Sequence, residues 1–303
     1  MKHFRILAVL ALAVCGAAGC EKEGKLSPTG PENIYGDHTL PQGNHDYDAR
    51  IVKLFEDYNT LFLYKYVPHD LYYAGTRWMG GTYDPVKDTT YQHNGNQANS
   101  GYFDVPSDED YVGDQLDLLH EVLLDYYPDR YLSQYLPQKV FMIDSLYWSY
   151  TKKGIPDRNI TQAYEGGDFI ALTWGGARIT TMTPQQKKEY QNDVNKVFMS
   201  MAIRRGGGSV QDDFSEITNY NLGGGAENGL LPGSTSNPNS DWKSYIDAIS
   251  STPYAVMTAE GGFLHPDVDI NGLVRKKYDI VVGYFTDTHG VDLQAIGNET
   301  FGQ

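Results

Sequence analysis

The sequence predicts an α+β fold, with a sheet-bearing N-terminal part and a mostly helical C-terminal part. Apolar side chains recur at helical spacing in several segments, whereas short aromatic or aliphatic runs indicate strands. The chain shows neither a strict alternation of strand and helix nor an internal repeat. A doubly wound parallel sheet and a repeat architecture are therefore not expected.

The predicted elements begin with a helix and an aromatic strand. The spacing of Ile51, Leu54 and Tyr58 predicts a helix over 47–59, and the run after it predicts a strand over 60–67. The Gly- and Asn-rich residues 74–101 predict a loop, and short irregular strands within it stay open as an alternative. The other predicted helices are 108–126, 129–135, 183–204, 241–250 and 274–289, and 212–220 is predicted as a helix or a single helical turn. The other predicted strands are 138–143, with a possible extension to 151, and 168–174.

Helix boundaries follow from capping residues. Thr183 is the expected N-cap of the helix that opens with Pro184, a residue favoured at the first helical position. A break of this helix near Asn192 stays open as an alternative. Ser240 is the expected N-cap of the helix over 241–250, and the last residues of the chain are expected to fray.

The N-terminus predicts export. Lys2 and Arg5 precede a short apolar run, which is typical of a secretory signal peptide and too short to span a bilayer. Small residues lead up to Cys20, as at a lipoprotein cleavage site, whereas Cys15 lies within the apolar run. We therefore predict a signal peptide over 1–19, a lipidated tether over 20–45 and a single domain over 46–303.

Composition limits the classes of partner. The formal net charge is −15, and a surface this acidic repels nucleic-acid phosphates and anionic lipid headgroups. Nucleic-acid binding is therefore excluded, and the expected membrane contact is the lipid anchor. After removal of residues 1–19, Cys20 is the single cysteine, so neither a disulfide nor a cysteine metal site is expected.

Metal-binding motifs are incomplete. Zinc hydrolases of the HExxH type place two histidines one helical turn apart, with a glutamate as base. His120-Glu121 begins such a pattern, but Leu124 stands where the second histidine would be. Asp213 and Glu216, with Asp212, form an acidic cluster that could bind a cation or oppose a helix dipole.

Several ordered segments carry a family resemblance. They are 58–66, 131–145, 166–170, 212–217 and 276–293, which include the sequences YLSQYLPQKVFMI, GGDFI, DDFSEI and KKYDIV. In this order they resemble the substrate import-associated zinc metallohydrolase lipoproteins of Bacteroides-like bacteria, a family of zinc-binding metallopeptidases. The resemblance implies a zincin-like frame.

The resemblance also implies where a zinc site would lie. The HExxH helix of the family should follow 183–195, but residues 196–202 here read KVFMSMA, without His or Glu. Glu216 and its neighbour Asp213 are the acidic residues that could carry over as metal ligands. We therefore expect a catalytically inactive member of the family that holds no cofactor.

The resemblance further implies a cellular setting. Glu21-Lys22-Glu23 directly after the lipidation site resembles the signal for display on the outer face of the outer membrane. The expected role is accessory to nutrient import, beside a TonB-dependent receptor and its binding lipoprotein.

Two other functions stay open. The first is an active zinc-dependent metallohydrolase with an atypical site, built from Glu216 together with His265 or His289. The second is a cell-surface glycan-binding protein that stacks sugars on exposed tryptophans. The candidate tryptophans are Trp78, Trp148, Trp174 and Trp242.

Overall fold

The computed structural model describes residues 38–66, 70–71, 101–152, 155–232, 234 and 237–302. Residues from Thr39 onward belong to one compact unit. The preceding unit is Met1–His38, of which His38 is described. None of the helices in these ranges has the length and apolar character needed to cross a bilayer.

Helices and strands are intermixed in the first half of the chain, and helices follow. The strands are β1 Leu61–Leu63, β2 Gly101–Pro106, β3 Lys139–Lys152, β4 Ile155–Thr161, β5 Ala163–Glu165 and β6 Phe169–Leu172. The helices are α1 Asp46–Tyr58, α2 Val112–Val122, α3 Asp129–Tyr135, α4 Pro184–Arg204, α5 Asp212–Ser215, α6 Pro238–Ser251, α7 Tyr254–Thr258, α8 Leu273–Tyr284 and α9 Leu293–Asn298. A π-helical turn, Phe285–His289, continues α8.

The long strand β3 organises the sheet. Its first residues pair in parallel with β1 on one side and with β6 on the other, and β5 follows antiparallel to β6. The remainder of β3 pairs antiparallel with both β2 and β4. In the described part of the chain, β5 is thus an edge strand of the order β1-β3-β6-β5.

These elements confirm the α+β class. The helices predicted over 47–59, 129–135, 183–204 and 274–289 are present, and α4 runs without a break at Asn192. Thr183 caps α4 as expected, and its hydroxyl accepts a hydrogen bond from the backbone N–H of Gln186 at 3.2 Å.

Other expected boundaries were wrong. Asn237, not Ser240, caps α6, because the Asn237 side chain accepts from the Ser240 N–H at 2.9 Å and Pro238 occupies the first helical position. Of the two predictions for 212–220, the helical turn is the one present: α5 ends at Ser215, since the next residues turn inward toward a buried ion pair. Strands β2, β4 and β5 were not predicted.

Among the described residues, the C-terminal helix α9 does not fray as expected. Lys188 of α4 donates hydrogen bonds to the carbonyl oxygens of Ile296 and Gly297 at 3.0 and 3.1 Å and fixes the end of α9. Burial lowers the pKa of Lys188 to about 8. A Cβ on Gly297 would lie 2.1 Å from the Ile249 carbonyl oxygen, so α9 and α6 pack closely because this residue is glycine.

Order also begins before Asp46, the expected start of the domain. The Gln42 amide oxygen accepts a hydrogen bond from the Tyr64 N–H at 3.0 Å, and its amide nitrogen donates to the Lys65 carbonyl oxygen at 2.5 Å. Leu40 packs against the hydrophobic core. The residues just before α1 are therefore held to the end of β1.

A buried ion pair connects the C-terminal helices. Lys277 of α8 contacts Asp241 of α6, and both side chains are fully buried. The Lys277 ammonium and the Tyr220 hydroxyl both donate to Asp241 Oδ2, the hydroxyl at 2.8 Å. Oδ1 of Asp241 has no hydrogen-bond partner among the described residues. The Lys277 ammonium also lies 4.4 Å from the ring centroid of Phe214. Burial raises the pKa of Asp241 and lowers that of Lys277, so each charge depends on the other.

Replacing Lys277 with Met should lower the free energy of unfolding by about 3–5 kcal/mol at pH 7, because Asp241 is left as an unpaired buried charge. Burial raises the pKa of Asp241 above its ordinary 3.8, so the deficit should shrink toward pH 4 as the carboxyl takes up a proton. Urea unfolding at both pH values measures this change.

The double variant Lys277→Met with Asp241→Asn serves as the control, because it removes both charges. It should recover part of the lost stability at pH 7. A double variant as unstable as Lys277→Met alone would show that packing, and not the buried charge, causes the loss.

Candidate functional site

Thr173, directly after β6, connects three elements. Its carbonyl oxygen accepts a hydrogen bond from the Gln115 amide of α2 at 2.9 Å and from the Tyr190 hydroxyl of α4 at 3.0 Å. Its own N–H and hydroxyl both donate to the Gln162 carbonyl oxygen, at 3.1 and 2.9 Å. These bonds fix the start of β5 and the middle of α4 at one end of β6.

The helix α4 has two distinct faces. Its buried stripe includes Tyr190, Val194 and Phe198, and the Asn195 amide donates to the Val122 carbonyl oxygen at 2.8 Å, which holds α4 to α2. The residues beside this stripe recur at intervals of three or four and face a groove next to β5. They are Gln186, Glu189, Asp193, Lys196, Val197 and Ser200.

The groove between α4 and β5, which we call the β5–α4 groove, has two adjoining lobes. One lobe has a volume of about 430 Å³ and is bordered by Trp174 and Arg178, and the other has about 400 Å³ and is bordered by Glu165 and Lys243. Ile160, Gln162 and Asp193 line both lobes. At 1.5 Å per residue, the α4 wall from Gln186 to Ser200 is about 21 Å long.

A strained turn forms the end of the first lobe. Trp174 has a φ of 75°, which a bulky residue rarely adopts, and its indole N–H donates to the Gln162 side-chain oxygen at 3.0 Å. The Arg178 guanidinium lies 4.5 Å from the Trp174 ring. A Cβ on Gly175 would lie 1.8 Å from Ser107 Oγ, so only glycine fits after Trp174. The turn is thereby enforced by its surroundings, as strained positions at functional sites usually are.

Asp193 lies at the junction of the two lobes. The Gln162 amide donates to its carboxylate at 3.2 Å across the groove. Loss of water between the groove walls raises the pKa of Asp193 above its ordinary value, against the opposing effects of Gln162 and Lys196. Asp193 is thus a partly desolvated acceptor with solvent access, suited to N–H or O–H donors of a ligand.

Charges of both signs surround the second lobe. The Lys243 ammonium lies 2.7 Å from Asp247, and Arg204 pairs with Glu165 of β5. Ile160 adds an apolar surface that is 69% exposed. The groove therefore offers hydrogen-bond donors, acceptors and one exposed apolar side chain along an edge strand.

The donor set of the groove does not fit a catalytic zinc ion. Such a site uses three protein ligands and an open position, and histidines supply most of the ligands. The corresponding face of α4 offers Glu189 and Asp193, followed by Lys196, whose positive charge would oppose a metal ion. Across the described ranges, no three His, Cys, Asp or Glu side chains are grouped to hold a metal.

The weak metal candidates lie apart from this groove. Asp213 belongs to α5 and Glu216 is the residue directly after it, and both side chains are exposed. Asp212 and Asp213 occupy the first turn of α5, where they oppose the helix dipole. Cys20, the predicted lipidation site, lies outside the described residues.

The histidines proposed for an atypical zinc site are not grouped with Glu216. His265 lies 3.7 Å from Asp267, and its ring accepts a hydrogen bond from the Asp267 N–H. His289 lies in a separate cavity beside Tyr131 and Tyr135. His120 lies 3.1 Å from Asp125 at the end of α2.

The tryptophans offered for glycan stacking are largely enclosed where they can be described. Trp174 is 7% exposed with Arg178 over its ring, and Trp242 is 1% exposed with its indole N–H donating to the Gly208 carbonyl oxygen at 2.8 Å. These two rings offer no open face for a sugar. Trp78 and the side chain of Trp148 lie outside the described part.

Apart from Trp174, which was a candidate for glycan stacking, sequence reasoning did not identify the groove residues. Glu189, Asp193 and Lys196 recur at helical spacing, but any solvated helix face gives the same pattern. Gln162 and Trp174 belong to segments whose proximity depends on the pairing of β5 with β6. The helix predicted over 183–204 was the one feature of the sequence that could have indicated the groove wall, because it placed these polar residues on one helix face.

Comparison with solved structures finds a similarity to a protein of Bacteroides caccae described as a "putative zinc-binding metallo-peptidase". The sequences are 15% identical, the match covers 84% of this chain and 92% of that chain, and the TM-score is 0.44. No family model matches this chain, and no curated protein matches it. A likeness this distant assigns neither a family nor an activity.

Asp193→Asn should change how stability depends on pH. Because the pKa of Asp193 is raised in the folded protein, the folded state binds more protons than the unfolded state just above pH 3.8. Ionisation of Asp193 therefore costs stability as the pH rises. The stability of the variant relative to wild type should increase from pH 4 to pH 7, measured by urea unfolding.

Asp213→Asn is the matched control, because it removes an exposed carboxylate outside the groove. It should not reproduce the gain in relative stability from pH 4 to pH 7 that is expected of Asp193→Asn. Equal pH dependence of the two variants would contradict the desolvation of Asp193.

Proposed function

We propose that this protein is a non-catalytic, lipid-anchored lipoprotein of the outer membrane that binds extended polypeptide in the β5–α4 groove. The observation that carries this proposal is the placement of the groove. It follows β5, an edge strand of the described sheet, and its α4 wall carries polar side chains without the ligands of a catalytic zinc.

The shape of the groove supports a peptide as the ligand. An extended segment can add to an edge strand through main-chain hydrogen bonds, while pockets take alternate side chains. At about 3.3 Å per residue, the α4 wall of about 21 Å matches roughly six residues of extended chain. Gln162 and Asp193 can bond to ligand amides, and Ile160 can contact an apolar side chain.

The chemistry of the groove supports binding without cleavage. Hydrolysis by a zincin needs a metal that activates water and a general base beside it. Here Lys196 and Val197 follow Asp193 on α4, and neither residue type is a usual zinc ligand. This is the arrangement expected of an inactive relative of the metallohydrolase lipoproteins that the sequence resembles.

The cellular setting is supported by the sequence. The signal peptide, Cys20 and the acidic residues after it favour attachment to the outer membrane with display at the cell surface. In the resembled family the neighbours are a TonB-dependent receptor and its binding lipoprotein. An accessory role in nutrient import, in which the groove holds a peptide or a partner segment, follows from this setting.

Peptide binding can be tested with fluorescein-labelled decapeptides of randomised sequence, followed by fluorescence anisotropy. Wild-type protein should bind the peptides and leave them intact by mass spectrometry, with or without added zinc. Ser200→Trp places an indole in the second lobe and should weaken binding at least about tenfold, or about 1.4 kcal/mol. Ser133→Trp, the same change at an exposed site on α3, should bind like wild type.

The outcomes separate the candidate functions. Equal binding by Ser200→Trp and wild type would place the peptide site elsewhere. Cleavage that stops on addition of a chelator would instead establish a metallohydrolase.

Lipid anchoring can be tested by two cysteine variants. Cys20→Ser should move the protein from the membrane fraction to the soluble fraction and abolish labelling by a palmitate analogue, because buried acyl methylenes contribute about 0.8 kcal/mol each. Cys15→Ser is the control and should stay in the membrane. The opposite pattern would move the lipidation site to Cys15.

A further inference from the structure

A second cavity lies where α3 meets the π-helical turn after α8. Its volume is about 130 Å³, and it shares no lining residue with the β5–α4 groove. It is lined by Arg130, Tyr131, Gln134, Tyr135, Thr288 and His289. Tyr131 and Tyr135 are buried and His289 is half-buried, whereas the other three residues are exposed at the rim.

One ring nitrogen of His289 has a hydrogen-bond partner among the described residues. The Tyr284 hydroxyl lies 3.3 Å from His289 Nε2. When this hydroxyl donates to Nε2, the neutral ring carries its own proton on Nδ1. Nδ1 has no hydrogen-bond partner within the same ranges, so in that tautomer it can donate to a ligand.

The other polar lining groups are donors or can act as donors. Arg130 forms no ion pair with any described residue, and the Tyr135 hydroxyl has no hydrogen-bond partner within the same ranges. Gln134 and Thr288 add an amide and a hydroxyl at the rim.

Acidic neighbours do not occupy this cavity. Asp129 precedes Arg130, but its carboxylate accepts a hydrogen bond from the Tyr58 hydroxyl at 3.0 Å. Asp287 precedes Thr288 and is exposed. Neither residue lines the cavity. The lining therefore combines one guanidinium, one imidazole and neutral donors, which is the set that binds oxyanions.

We propose that this cavity binds a small oxyanion, a carboxylate or a phosphoryl-type group. Arg130 makes charge-assisted hydrogen bonds to the anion at the rim. His289 Nδ1 and the Tyr135 hydroxyl donate to it from the floor, and the rings of Tyr131 and Tyr135 limit the size of the ligand. The site is independent of the peptide groove.

Anion binding in this cavity is coupled to pH through His289. Burial and the positive charge of Arg130 lower the pKa of His289, so the empty site holds a neutral imidazole at pH 7. The ionisable groups around its ring are Arg130, Tyr131 and Tyr135 from the α3 side and Tyr284 from the α8 side. A bound anion favours the imidazolium, so affinity rises as the pH falls.

The test uses the full chain, with sodium sulfate compared against sodium chloride at equal ionic strength. Sulfate keeps its charge from pH 5 to pH 7, and acetate tests the carboxylate class. NMR of the histidine ring protons should show a saturable shift of His289 and a rise in its pKa with sulfate, acetate or both. Arg130→Gln should weaken binding at least about tenfold, because a hydrogen bond to a charged group is lost.

Two variants complete the test. Arg275→Gln removes the same charge at the other end of α8 and should bind sulfate and acetate like wild type. His289→Gln should keep weaker binding without the gain in affinity at pH 5. The proposal would be overturned if sulfate and acetate affected the His289 ring no more than chloride does. Equal binding by Arg130→Gln and wild type would also overturn it. Failure of peptide binding would leave these outcomes unchanged.

Discussion

The carbonyl oxygen of Thr173 accepts hydrogen bonds from a glutamine of α2 and a tyrosine of α4, while its backbone N–H and hydroxyl bond to Gln162. The Gln115 amide also contacts the Ile143 and Leu172 carbonyl oxygens at 3.0 and 3.1 Å. A buried carbonyl without partners would cost about 1–3 kcal/mol, so these bonds strongly favour one arrangement. They fix α4 relative to the edge strand and thereby fix the width of the groove.

The groove follows from this arrangement and from the turn after β6. Gly175 lets the chain pass Ser107 closely, and Trp174 accepts a left-handed backbone conformation because Gln162 and Arg178 hold its ring. Asp193 then faces Gln162 across the opening. The proposed binding of a chain segment rests on this polar helix face beside a strand edge.

Buried polar contacts hold the C-terminal helices together. The Lys277–Asp241 pair joins α8 to α6 inside an aromatic cage, and Lys188 holds the end of α9 to α4. Desolvation destabilises both charged groups of the pair. The pair therefore specifies how the helices are arranged and adds little to the free energy of unfolding. The same helical stretch ends at His289, where unpaired donors converge on a small cavity.

The sequence by itself determined the α+β class and most helices, and it predicts export, because helical spacing, capping residues and a lipoprotein cleavage pattern are local features. It also determined the absence of HExxH from α4. The edge position of β5, the groove, the buried Lys277–Asp241 pair and the cavity beside His289 depended on contacts between distant residues, such as Gln162 with Asp193 and Tyr220 with Asp241. Strands as short as β5 carry too few residues for a periodic signal, and a polar helix face looks alike whether it meets water or a ligand. Only the tertiary structure could decide which face lines a groove.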